Sequence, residues 1–236
     1  MVSIDDEHPS PDSAESTRRG GRNSRRKERR SRPLDRSRLR DLALSYVARF
    51  ATTGAKLENY LARKIRERGV AEDTDGRACD LDVSGLVSSF IEAGYIDDDA
   101  YARARSRDLT GRGYGARRVE QALRAAGVED EVRCEHAPGE AQGRRAAILL
   151  ARKRRFGPFA QPEPSDDGDL DEYSDAEQPD PLERRKLREK QVAAMLRAGH
   201  SFEHAAFVVD AARRSDIEDW LKEAEADEQA EEGRLW

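Results

Sequence analysis

Two cysteines, Cys79 and Cys134, are all that the 236 residues contain, and neither has CxxC spacing or a histidine ligand pattern nearby. They read as ordinary thiols rather than as a disulfide frame or a zinc site. Aromatic residues make up 6% of the chain, and no apolar run approaches the roughly 18 residues that a membrane span needs. The opening MVSIDDEHPSPDSAES is acidic and Ser/Pro-rich, unlike a secretion leader. The expectation is a soluble, cytoplasmic protein without membrane contact. Histidine is equally scarce: of His8, His136, His200 and His204, only the last two share i, i+4 spacing, and no HExxH or third ligand accompanies them. They read as surface or helix-start histidines. No acid–base pair, nucleophile or metal cluster emerges, so the chain is expected not to be an enzyme and to need no cofactor or metal.

Charge is what the chain has in abundance. Charged residues make up 39% of it, the formal net charge is −5 and the mean hydropathy is −0.93, which leaves little for one large core and favours small modules in a row. The charge is also segregated. Twelve Arg and Lys lie between Arg18 and Arg40 against Glu28 and Asp35 alone, whereas Glu163 to Glu183 holds ten acids and no base. Nine further acids between Asp216 and Glu232 face the single Lys222. Such blocks bear on partners rather than on fold.

Taken in order, residues 1–36 lack apolar periodicity and predict a disordered basic arm. From Ser37 a helical stripe of Leu39, Leu42, Ala43, Tyr46, Val47 and Phe50 begins, with Ser37 or Asp35 as its cap. A second helix carries Leu57, Tyr60, Leu61 and Ile65, and a loop from Ala71 to Asp80 completes a partial first repeat, 37–80. Residues 81–128 predict a central three-helix repeat. Its first helix carries Val83, Leu86, Val87, Phe90 and Ile91; Gly94 stops it, and Tyr95 and Ile96 fold back as anchors. Asp97, Asp98 and Asp99 cap the second helix rather than bind a cation. Gly111, Gly113 and Gly115 form a tight helix-to-helix turn, without the lysine or preceding strand of a phosphate loop. Val119, Ala122, Leu123 and Ala126 line the third helix, which ends at Gly127. Residues 129–224 then form a third repeat: a short or interrupted helix over Glu129–Gln142, an acidic insert at 161–181 in an exposed loop, and a capping box at Ser215–Glu218 before Trp220. An acidic, frayed tail, 225–236, closes the chain.

A degenerate repeat runs through these blocks. LARKIRERGV (Leu61–Val70), VEQALRAAGV (Val119–Val128) and QVAAMLRAGH (Gln191–His200) are parallel terminators, each preceded by a helix with an apolar stripe. The fold class is therefore all-α, a tandem array of helical repeats. Its functional signal is arginine placement. Seven arginines lie between Tyr101 and Val128, with Arg103 and Arg107 on one helical face and Arg117, Arg118 and Arg124 outside the Val119/Leu123 stripe. Arg144, Arg145, Arg152, Lys153, Arg154 and Arg155 follow with no acid among them. Together they offer a long positive surface for phosphates or for an acidic protein groove, set against the plainer alternative of a solvated face. No helix carries an obvious set of base-reading side chains.

GYIDDDAYA (Gly94–Ala102) followed by GRGYGARRVEQALRAAGV (Gly111–Val128) resembles the RecX family of regulators of the RecA recombinase. Residues 37–70 and 144–212 extend the resemblance, with RKRRFG and MLRAGHSFEHAAFVV as parts of the third repeat. The resemblance implies an elongated, curved array of three-helix repeats, a monomer that binds RecA and lodges in the groove of its filament on single-stranded DNA. It implies inhibition of strand exchange, ATP hydrolysis and coprotease action, and places the protein in recombination, repair and the SOS response. On this chain the filament- or DNA-facing set would be Arg103, Arg107, Arg117, Arg118, Arg124, Arg145, Arg152 and Lys153, an assignment that follows from their placement here. The alternative is a helical protein that binds single- or double-stranded DNA independently of RecA. The basic arm, acidic insert and acidic tail are not part of the shared core.

Overall fold

The computed structural model describes residues 32–160 and 180–234. Among them the regular elements are ten α-helices and one 3-10 helix, with extended pairing limited to isolated bridges between Leu34 and Val70 and between Glu72 and Ala78. The all-helical class is thus the observed one. Residues 1–31 of the basic arm and 161–179 of the acidic insert expected at 161–181 lie outside the described residues, and the insert's last two positions are not loop: Asp180 caps and Pro181 opens a helix. The chain divides into two compact units at the Ile96–Asp97 boundary.

In the first unit, α1 (Arg36–Val47), α2 (Gly54–Arg68) and α3 (Val83–Glu92) each start at a side-chain acceptor. Asp35 accepts from the Arg38 N–H at 2.8 Å, Thr53 from Lys56 at 3.2 Å and Asp82 from Gly85 at 2.8 Å. Each cap supplies a partner to an otherwise orphaned N–H and contributes about 1 kcal/mol. Leu39 and Ala43 of α1, Leu57 and Leu61 of α2, and Val87 and Phe90 of α3 build one core, which Ile96 closes. Two expectations are corrected here. The arm does not reach residue 36, because Leu34 is fully buried and held by Leu34 N to Gly69 O at 2.9 Å and Ala71 N to Leu34 O at 2.8 Å. Phe50 leaves the α1 stripe: it lies past the helix end, 57% exposed, its ring tilted against that of Tyr46.

The second unit begins with α4 (Asp98–Gly111), α5 (Ala116–Ala125) and the short α6 (Asp130–Glu135). Ala102 and Leu109 pack on Val119, Leu123, Ala126 and Val128, with Val132 of α6 against them. A second core joins α7 (Glu140–Arg154), the 3-10 turn Gly157–Ala160, α8 (Pro181–Arg197), α9 (Phe202–Asp210) and α10 (Arg214–Arg234). The repeat is real, but its phase differs from the reading of 81–128 as one module. Helix α3 packs its Val87 and Phe90 on α2, so it closes the first three-helix set, and α6 supplies the third helix of the next. Each terminator therefore ends the middle helix of a set, at a glycine with positive φ: Gly69 at 76°, Gly127 at 75° and Gly199 at 94°. The acidic tail is corrected as well. It continues α10 as helix to Arg234, which begins at Arg214, one residue before the expected Ser215 cap. Asp216 instead accepts from the Arg213 N–H at 3.1 Å.

Candidate interaction surface

Helix α4 is set at its start by Asp97, whose carboxylate accepts from the Ala100 N–H at 2.8 Å, the capping role expected of that triplet. Further along, Arg103 reaches back one turn to Asp99, while Arg107 is exposed and carries no side-chain hydrogen bond or ion pair among the described residues. Asp99 also receives His136 at 2.6 Å. That hydrogen bond, together with His136 and Arg103 charge, holds the Asp99 carboxyl below its usual range. Asp99, Glu135 and His136 bring three ligand-type atoms within 4.8 Å of one another. With Asp99 already shared between a histidine and an arginine, the cluster serves as a pin between α4 and the end of α6.

The turn between α4 and α5 is the tightest joint in this unit. Gly113 has φ +88°, and a Cβ on it would stand 3.1 Å from the Leu150 nitrogen. A Cβ on Gly115 would sit 2.4 Å from backbone atoms of Gly199 and His200, and one on Gly199 would sit 2.5 Å from the Arg118 nitrogen. Two turns thus touch backbone to backbone: Gly115 N donates to Ala198 O at 3.0 Å and Arg117 N to Gly199 O at 3.1 Å. The buried His200 adds Nε2 to the Gly113 carbonyl at 3.0 Å. A carbonyl only accepts, so Nε2 carries the proton, and the buried Nδ1 has no partner among the described residues. Burial pushes the His200 pKa down, the Gly113 carbonyl opposes this and His204 adds to it. His200 and His204 do not converge: His204 Nε2 turns to Glu140 at 3.0 Å.

This joint presents Arg117 and Arg118 in the first turn of α5, both exposed and without an ion pair among the described residues. Arg124, in the last turn, is bound to Glu120 at 2.7 Å. On α7, Arg145 meets Glu225 at 2.7 Å and Arg152 meets Glu218 at 3.3 Å. Lys153 is exposed and carries no pair among the described residues. Of the eight expected surface cations, Arg103, Arg124, Arg145 and Arg152 are therefore matched with carboxylates, and Arg107, Arg117, Arg118 and Lys153 are open. The structure brings Arg107 and Arg145 to one cleft of about 290 Å³, with Thr110 and Gln142 as polar lining and Ala146 and Leu149 as apolar lining. Gln142 donates to the Thr110 hydroxyl at 3.1 Å, which fixes the polar side.

Arg144 takes a different role from its neighbours. Its guanidinium lies 4.5 Å from the Trp220 ring centre, donates to the Trp220 carbonyl at 2.5 Å and reaches Glu140 at 2.7 Å. It is a clamp between α7 and α10. The sequence marks a helix through Trp220 but not that α10 lies on α7. One signal was available: Arg145 and Arg152 are seven residues apart, as are Glu218 and Glu225, and they pair in reversed order, as antiparallel helices require.

A family described as RecX, second three-helix domain, matches residues 97–135, the span of α4 to α6 with the Asp97 cap. A curated relative, regulatory protein RecX of Myxococcus xanthus, is 30% identical over 198 residues, covering 81% of this chain and 96% of that protein. The chain belongs to the RecX family. Regulatory protein RecX of Agrobacterium fabrum is 31% identical over 189 residues, covering 78% of this chain and 88% of its own. The crystal structure of RecX from Lactobacillus salivarius aligns at a TM-score of 0.49 and 16% identity, covering 74% of this chain and 94% of that one. As a RecX-family chain, it belongs with proteins named as regulators, and no helix among its described residues is long and apolar enough to cross a membrane.

Proposed function

We propose that this RecX-family chain binds the RecA recombinase and its filament on single-stranded DNA, and restrains the ATP hydrolysis, strand exchange and coprotease action of that filament. Family membership supports the partner. The observation that carries the site is the exposed Arg117–Arg118 pair, set on a joint made of backbone contacts and left without carboxylate partners among the described residues. A turn whose backbone is already fixed adds no backbone ordering to the cost of docking, which leaves that of the side chains, and repeated weak contacts along a polymer favour the filament over the free protomer. Arg107, Lys153 and the paired Arg103, Arg124, Arg145 and Arg152 complete the proposed surface. The protein acts by occupancy, as a cytoplasmic monomer, and not by catalysis.

The test is RecA ATPase on single-stranded DNA with the double variant R117E/R118E. Both positions lie in the first turn of α5, where carboxylates favour the positive helix end, so helical circular dichroism should hold. Inhibition should weaken at least tenfold. Undiminished inhibition removes the site assignment. Equal affinity for naked DNA and for the filament favours DNA binding independent of RecA instead.

A further inference from the structure

Helix α10 has two parts with different attachments. From Arg214 to Ala224 it is anchored in the core: Ile217 and Ala224 are buried, and Trp220 stacks on Phe207 with ring centres 4.4 Å apart beneath Arg144. From Glu225 to Arg234 no residue is buried. This second part is tied to the body of the unit by two carboxylates. Glu225 Oε1 accepts from Arg145 Nε at 2.9 Å and Nη2 at 2.7 Å, and Glu228 Oε1 accepts from the Ala141 N–H at 2.8 Å. Glu228 does so across Gly139, which offers α7 no side-chain cap; a Cβ there would lie 2.8 Å from the Glu228 oxygen. Arg145 is 58% exposed and Glu225 31% exposed, so their contact is one that solvent and a competing anion can reach.

These contacts bear on the proposed surface because Arg145 lines the same cleft as Arg107, which is open. A phosphate approaching the cleft meets one guanidinium without a carboxylate partner among the described residues and one already holding a carboxylate. We infer that Glu225–Arg234 is an autoinhibitory strap, an acidic segment that occupies the place of a nucleic-acid strand on α7, so that the phosphates of single-stranded DNA must displace Glu225 and Glu228 to use Arg145 and the cleft. The inference rests on the proposed function in taking this face to meet the DNA strand of the filament. Displacement leaves the core intact, since the strap buries nothing and the anchors end at Ala224. It exchanges one anion for another on the same guanidinium, which makes the strap a threshold: isolated strands compete poorly, and a filament that engages several patches at once competes well.

The experiment compares two full-length double variants with the same change in net charge. E225Q/E228Q strips the charge from the two strap contacts and leaves at most weaker neutral hydrogen bonds; D227N/E231Q neutralises two acids of the same segment that carry no ion pair among the described residues. Fluorescence anisotropy with a fluorescein-labelled oligothymidylate should show E225Q/E228Q binding roughly three- to tenfold tighter than D227N/E231Q, the worth of one or two exposed charge contacts. Inhibition of RecA ATPase should strengthen in the same order. If the two variants bind alike, only net charge matters and the strap is overturned, whatever the wild type does to RecA. If E225Q/E228Q binds the oligonucleotide more tightly yet neither variant nor wild type affects the filament, the strap stands and the RecA reading falls.

Discussion

Replacing Gly115 with alanine tests the joint on which the proposed surface rests. The new Cβ would point at the Gly199 carbonyl group and the His200 nitrogen from 2.4 Å, inside any real carbon contact, and backbone atoms cannot swing aside as a side-chain tip can. The turns must part. Overpacking of this kind costs about 1–3 kcal/mol, and opening the joint removes Gly115 N to Ala198 O and Arg117 N to Gly199 O, at about 1 kcal/mol each. The sum, about 3–5 kcal/mol, is a large share of the roughly 5–15 kcal/mol by which domains are stable. The matched control is Gly111→Ala, four residues away, where a Cβ meets nothing within 4 Å; there the helix gains at most about 1 kcal/mol. Thermal unfolding followed by circular dichroism should place Gly115→Ala about 10 °C below Gly111→Ala. A difference of only about 2 °C would show that the two turns do not bear on one another as described.

Other consequences follow from single side chains. His200 holds its proton on Nε2 and is pushed below its ordinary pKa, near 6.5, by burial. The unfolded chain therefore takes up a proton first, and stability is full above about pH 6.5 and falls as the pH drops toward the lowered folded value. His200→Gln, which can keep a donor toward the Gly113 carbonyl, should melt with less loss between pH 7.5 and 5.5 than the wild type; an unchanged loss would put the acid sensitivity elsewhere. Asp97→Ala leaves the first turn of α4 without its cap and should cost about 1 kcal/mol in urea unfolding, whereas no change would mean that Asp98 and Asp99 suffice. Leu123→Ala empties a fully buried position between α4 and α5 and should cost about 2–5 kcal/mol; a cost below about 1 kcal/mol would contradict the packing of that core.

Much of this architecture was legible locally. The stripe Val119/Leu123, the cap at Asp97 and the glycines that stop α2, α5 and α8 are written in neighbouring residues, because helix periodicity and capping act within one or two turns. What escaped is non-local. The sets of three helices were phased one helix late because α3 carries as clean a stripe as any and nothing in its own sequence says that α2, and not α4, receives it. Leu34 sits outside every helical stripe and is buried only because the chain crosses back beside Gly69. The arginines were readable as exposed, and Arg117 and Arg118 are. That Arg145 and Arg152 would meet acids more than sixty residues later depended on the antiparallel register of α7 and α10, which composition alone presents as a tail.

RecA ATPase on single-stranded DNA, measured against rising concentrations of the full-length chain and of R117E/R118E, tests the central claim most directly. Inhibition by the wild type should weaken with added salt, and the variant should need at least a tenfold higher concentration for the same effect. Wild-type protein that leaves the ATPase untouched, or a variant that inhibits as well as the wild type, would contradict the claim.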